Sequence, residues 1–178
     1  MSINGIEIDC KRCPTDIKIH RHHVCIGVGN PQAKTMLVGE APGKDEDLQG
    51  LPFVGKAGQM LDRLLKDIGI KRSDLFITNI VKCRPTDGNK NRAPVPIEIQ
   101  TCSPYLRMEI NMVNPQKIAP LGNSALQFFK PGASISMEHG NAFFWEGRVI
   151  LPLLHPAVLI YDYKLYPKLY EGYSLLRK

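Results

Sequence analysis

No stretch of these 178 residues comes near the roughly 18 consecutive apolar residues that cross a bilayer, so no helical membrane span is expected. The opening "MSINGIEIDC" lacks the apolar run of a secretory signal, and the expectation is a cytoplasmic protein. Acids are in deficit: 17 Asp and Glu face 23 Lys and Arg, a formal charge of +6 that suits a polyanionic partner without demonstrating one. The five cysteines are not expected to pair as disulfides in a reducing compartment. A hydroxyl is also missing where a nucleotide-binding loop needs one. Gly50-x4-Gly55-Lys56 fits the phosphate-loop pattern up to its last position, where Ala57 offers nothing to hold Mg²⁺. Asp45, Glu46, Asp47 and Gln49 also stand where that loop would follow a buried strand. On both counts no nucleotide triphosphate is expected as a ligand.

What is present suits one globular domain spanning residues 1–178, with hydrophobic residues at 43% and charged ones at 22%. Residues 1–31 read as an irregular arm. "TMLVGE" (35–40) is a short apolar run, consistent with a buried parallel strand. A Gly/Pro-punctuated loop over 41–55 precedes a helix whose stripe is Met60, Leu61, Leu64, Leu65 and Ile68, with Gly69 as its stop. "DLFITNIVKC" (74–83) reads as a second strand, 84–96 as a loop and 97–112 as a helix. "KIAPLG" is a third strand leading into the helix "NSALQFFK". "NAFFWEGRVILPLLHP" reads as a hairpin around Glu146-Gly147 with its second arm ending at His155, and the tail from 165 as helical. Strands alternating with helices predict a three-layer α/β/α sandwich with a mostly parallel central sheet. In such sheets ligands bind outside the carboxyl ends of the strands. Glu40, Asn79, Gly122 and His155 each close or follow a strand, so the fold gathers an acid, an amide and an imidazole on one rim.

Thiolates brought together away from water need a metal or cluster to share their charge. Two ligand sets fit the spacing. Cys10, Cys13, Cys83 and Cys102 would tie the arm to the middle of the domain around zinc or an iron–sulfur cluster. Cys10, Cys13 and Cys25 with His20, His22 or His23 would make a local zinc site.

The long ordered motifs go further. "GNPQAKTMLVGEAPGKDEDLQGLPFVGKAGQMLD" (29–62), "TNIVKCRP" (78–85), "NRAP" (91–94) and "HPA" (155–157), with Cys10-x2-Cys13 and Cys102, resemble family 4 of the uracil-DNA glycosylases, the iron–sulfur branch, over roughly residues 10–160. The resemblance implies a uracil-DNA glycosylase fold and a monofunctional DNA-repair hydrolase. Such an enzyme flips uracil out of single- or double-stranded DNA and leaves an abasic site. It also implies a [4Fe–4S] cluster on Cys10, Cys13, Cys83 and Cys102, with Cys25 a buried small hydrophobe and "HRHH" an exposed turn. A nucleoid-associated prokaryotic monomer is expected. Ala41 stands where a related cross-linking branch has Gln, which favours hydrolysis.

Carried over residue by residue, the resemblance makes Asn79 the base-reading amide, whose acceptor and donors suit uracil O4 and N3–H. It makes Phe53 the stacking ring. His155 stabilises the charge developing on uracil O2, Glu40 orients water and steadies the cationic sugar, and Asn91 (or Asn89) helps position that water. Backbone amides at Ala41 and Gly43 face the base, and Glu46 shapes the pocket near uracil C5, while Asp45 and Asp47 read as solvated or capping. Lys82, Arg84, Lys90 and Arg92 are the candidate phosphate contacts. Val158 or Leu159 is the candidate wedge for the hole left by the flipped base, because Ile160-Tyr161 replaces the family's usual Leu-Arg.

Overall fold

The computed structural model describes residues 2–3, 6–7, 13–15, 21–87 and 90–177. Its centre is a six-stranded sheet of order β3-β5-β4-β8-β10-β9. The strands are β3 (Val28–Gly29), β4 (Thr35–Gly39), β5 (Phe76–Asn79), β8 (Lys117–Pro120), β9 (Phe143–Trp145) and β10 (Arg148–Ile150). β4 runs parallel to β5 and to β8, β8 parallel to β10, and the edges β3 and β9 are antiparallel. Two small antiparallel pairs lie apart from it: β1 (Ser2–Ile3) with β2 (Ile6–Glu7), and β6 (Thr86–Asp87) with β7 (Lys90–Asn91).

The period of two along each central strand sorts the core onto two faces. Met36, Val38, Phe76, Ile118 and Ile150 point one way, to Leu106, Ile110 and Val113 of α3 (Pro96–Val113) and Ala125 and Phe129 of α4 (Asn123–Phe129). Leu37, Ile77 and Ala119 point the other way. They meet Leu61, Leu64 and Leu65 of α2 (Lys56–Asp67), Leu159 of α6 (Val158–Tyr161) and Leu169 and Tyr173 of α7 (Tyr166–Ser174). Helices on both faces of a mostly parallel sheet are the sandwich that the alternation predicts.

Local chemistry explains most boundaries. α2 starts after Gly55 and stops where Gly69 takes φ +72°, a left-handed conformation that glycine adopts without strain. α3 opens on Pro96, with Val95 N–H donating to the Glu98 carboxylate at 2.9 Å. The hairpin turn is at Glu146-Gly147, both with positive φ.

Five expectations are corrected. Residues 41–55 are not all loop: α1 (Lys44–Gln49) forms within them. β5 ends at Asn79, not at 83, because Ile80 and Val81 turn onto the carbonyls of Gly39 and Glu40. The 84–96 loop carries β6 and β7, and β10 ends at Ile150, beyond which Leu151 and Leu153 continue beside the third strand through Ile118 and Pro120 carbonyls. The arm is also not irregular to its end, since Val28–Gly29 closes one sheet edge. A short helix, α5 (Ile135–Glu138), precedes β9. Among the described residues no helix is long and apolar enough to cross a membrane.

Candidate active site

The carboxyl ends of β4 and β5, with the segment Leu153–His155, surround a cavity of about 340 Å³. Its walls include Ala41, Gly43, Glu46, Phe53, Asn79, Asn91 and His155, so the structure brings together most of the catalytic and uracil-binding residues singled out from sequence. Asn79 is almost fully buried and paired in register with Gly39. A β-carbon at Gly39 would stand 2.3 Å from Asn79 Oδ1 and 2.7 Å from the Phe53 ring, so the amide and the ring occupy the space of a missing side chain. Phe53 has φ +54°, which a bulky side chain rarely adopts, and its backbone presses on Gly58, where a β-carbon would meet the Phe53 carbonyl oxygen at 2.0 Å.

Glu46 answers why the Gly-Lys loop is not a phosphate cradle. Its buried carboxylate accepts hydrogen bonds from Val54 N at 3.0 Å and Gly55 N at 2.8 Å through Oε1, and from Gly43 N at 3.1 Å through Oε2. The amides that would wrap a phosphate are therefore held by the protein's own anion. Glu46 lines the cavity, but its carboxylate faces backbone, which makes it a brace for two loops. Asp47 is corrected too. It is fully buried, and its carboxylate accepts from His22 N at 2.9 Å and His23 N at 3.3 Å and bonds His22 Nδ1 at 2.7 Å. His23 Nδ1 donates to the Asp47 carbonyl at 2.8 Å, so the exposed histidine turn is pinned to α1.

His155 stacks against Phe53 with ring centroids 5.6 Å apart, and Gly122 passes so close that a β-carbon there would lie 3.1 Å from His155 Cβ. Burial pushes its pKa down to about 4. Nδ1 accepts from Ala157 N at 3.2 Å, so the ring proton resides on Nε2. Asn91 sits on β7 with Oδ1 accepting from Arg84 Nε at 2.7 Å. Asn89 lies outside the described residues. Among the described residues, Glu40 is the one predicted catalytic residue absent from the cavity wall, its carboxylate accepting the Ser124 hydroxyl at the start of α4.

Residues 26–173 match the family model of the Uracil DNA glycosylase superfamily. The chain belongs to this superfamily. Among curated proteins it is 41% identical to a Type-4 uracil-DNA glycosylase of Thermotoga maritima, over 85% of this chain and 78% of that protein. It is 39% identical to the Type-4 uracil-DNA glycosylase of Sulfurisphaera tokodaii, over 96% of this chain and 80% of the other. The Archaeoglobus fulgidus Type-4 uracil-DNA glycosylase shares 38%, over 94% and 84%.

In this member of the uracil-DNA glycosylase superfamily, three of the four basic residues assigned to phosphate face inward. Lys82 is fully buried against Glu109, Arg84 is nine-tenths buried, and Arg92 forks onto Glu98 at 2.9 and 2.7 Å. Glu98 also accepts from Val95 N and the Thr15 hydroxyl, at 2.8 Å from the latter. Burial alone would raise the Glu98 pKa, but the bonds from Arg92, Val95 and Thr15 outweigh it and hold the carboxyl below its usual value. Lys90 remains exposed. Sequence reasoning missed Lys44 and Lys56, exposed lysines on the cavity wall. For Lys56 the start of the expected helix was the available signal; Lys44 had none, because α1 lies within the segment read as loop. Of the two wedge candidates only Leu159 is buried, and Val158 is half-buried. Leu159 is core, Val158 packs against it, and the exposed apolar groups are Ile160 and Tyr161, the latter 89% exposed.

Cys13, Cys83 and Cys102 are buried in one core cluster, while Cys10 lies outside the described residues. Arg21 Nη1 donates to Cys83 Sγ at 3.4 Å and Lys82 N–H approaches Cys102 Sγ at 3.5 Å. Cys25 differs: burial first, then Asp47 and Glu46, push its pKa up to about 12, and the thiol donates to the Glu46 carbonyl at 3.2 Å. Among the described residues no three His, Cys, Asp or Glu side chains are arranged to hold a metal ion.

Proposed function

We propose that this chain removes uracil from single- and double-stranded DNA by hydrolysing its N-glycosidic bond, as a monofunctional repair glycosylase acting as a cytoplasmic monomer. The observation that carries the reading is the cavity, where an amide, an aromatic ring and a neutral imidazole converge at strand ends. Uracil enters edge-on to Asn79, whose amide bonds N3–H and O4, with its face against Phe53. As the bond from C1′ to N1 breaks, electrons pass to the base. His155, neutral at physiological pH, presents Nε2–H to O2 and stabilises the charge gathering there. The base leaves as an anion and the sugar as an oxocarbenium-like cation, which water captures.

Glu40 acts from the rim. Its charge favours the cationic sugar, and Ser124 holds its orientation. Asn91, steadied by Arg84, contributes to placing the water. Glu46 serves by shaping the walls, so its effect at uracil C5 is indirect. Lys44, Lys56 and Lys90 contact phosphates, and Ile160-Tyr161 fills the stack once the base has left.

Cys13, Cys83 and Cys102, with Cys10 from the arm, would hold a [4Fe–4S] cluster. Buried thiols receiving an Arg21 and a Lys82 backbone hydrogen bond suit thiolate ligands. The cluster would supply a structural pin between arm and domain.

Incubation with single-stranded and duplex uracil-DNA, then alkali, tests the reading. Free uracil and strand breaks at the uracil position are expected. Their absence, with DNA binding intact, would make the chain a nucleic-acid-binding protein without catalysis. Brown protein that loses colour on Cys83→Ser but keeps it on Cys25→Ser is the expected cluster result, and one zinc per colourless chain would overturn it.

A further inference from the structure

Lys82 and Glu109 are both fully buried and form an ion pair of 2.6 Å. Lys82 Nζ spends its three donors on Glu109 Oε2 at 2.6 Å, Thr78 Oγ1 at 2.7 Å and the Asn79 carbonyl at 2.6 Å. Thr78 Oγ1 in turn donates to Glu109 Oε2 at 2.7 Å, and Gly27 N donates to Oε1 at 2.8 Å. The network joins the C-terminal part of α3, the end of β5 and the approach to β3.

A buried ion pair is weak evidence for stability, since well-packed apolar residues of similar volume often serve as well. Its position suggests another purpose. β5 stops at Asn79 because Ile80 and Val81 turn onto Gly39 and Glu40. The ammonium of Lys82 reaches back three residues to hold the Asn79 carbonyl. That bond fixes the last peptide of the strand, from which the Asn79 side chain projects into the space above Gly39. Thr78, the preceding residue, is tied into the same network.

We infer that Lys82, Thr78 and Glu109 form a positioning device for the Asn79 amide and thereby set how tightly uracil is read. This rests on Asn79 as the base-reading residue. An amide displaced by an ångström loses its match to N3–H and O4 even though the protein stays folded.

The test compares Lys82→Met/Glu109→Leu, which removes both charges and keeps an apolar volume, with Thr78→Val and Thr78→Ser. Unfolding temperature, affinity for free uracil, affinity for DNA bearing an uncleavable abasic-site analogue, and single-turnover uracil release are measured for each. The double variant should fold and bind abasic DNA like the parent, while free uracil binds on the order of 10- to 10²-fold more weakly. Thr78→Val should shift uracil affinity in the same direction, and Thr78→Ser, which keeps the hydroxyl, should restore it. A folded double variant with parental uracil affinity would overturn the inference. If the double variant does not fold, a folded Thr78→Val with parental affinity would overturn it equally. A parent that releases no uracil would instead defeat the glycosylase reading, so the two failures are distinguishable.

Discussion

At the scale of single residues, the cavity is arranged around a missing side chain as much as around those present. Gly39→Ala places a methyl 2.3 Å from Asn79 Oδ1 and 2.7 Å from the Phe53 ring. Neither can retreat easily, since both are buried. The variant should fold yet excise uracil on the order of 10²-fold more slowly, read as the single-turnover rate on single-stranded substrate. Near-parental rates would mean that the amide and ring need not hold this spacing. His155 gives a pH signature. Its native pKa of about 4 lies below the unfolded value of about 6.5, so the folded state favours the neutral ring. The stability this contributes is present above the unfolded value and is lost as pH falls towards about 4. Between pH 5 and 8 the ring stays neutral, and the single-turnover rate should show no acid limb near 6.5. A limb there that vanishes in His155→Ala would show that the imidazole titrates as an ordinary one.

Among the elements, α1 and the loop after it depend on one carboxylate. Glu46→Ala leaves the N–H groups of Gly43, Val54 and Gly55 without their acceptor. Each costs about 1–3 kcal/mol if it stays buried and unpaired. A lowered unfolding temperature and lost uracil release are expected, with Glu46→Gln milder in both because it keeps an acceptor. A fully stable Glu46→Ala would mean that water takes over the brace. This element also marks what the sequence could and could not reveal. Asn79, Phe53 and His155 were legible because each sits inside a contiguous motif at a strand end or its loop. The inward turn of Glu46 was not, because its partners lie three, eight and nine residues away on backbone, where residue type carries no signal. Lys82 was misread for a similar reason. In sequence it opens a basic run to Arg92, but β5 ends early and the following turn carries it into the core.

For the whole molecule, the question is which of its excess positive charges meet DNA. A count of basic residues cannot answer this, since Lys82 and Arg92 are already neutralised by Glu109 and Glu98. Lys44 and Lys56, at the starts of α1 and α2, and Lys90 on β7 are exposed instead. The first two stand on the cavity wall, and Lys90 adjoins Asn91, which also lines it. A lysine that contacts phosphate releases bound counterions, so each such contact adds about 0.9 to the slope of log affinity against log salt. Lys44→Ala, Lys56→Ala and Lys90→Ala should each flatten that slope by about one unit, measured on DNA with an uncleavable abasic-site analogue from low to physiological salt. Arg92→Ala should behave differently. It leaves Glu98 buried with only Thr15 and the Val95 amide, so stability falls while the salt slope stays as in the parent. Unchanged slopes for Lys44→Ala and Lys56→Ala, with a flattened one for Arg92→Ala, would return the DNA-binding face to the 84–96 loop and remove it from the helix starts around the cavity.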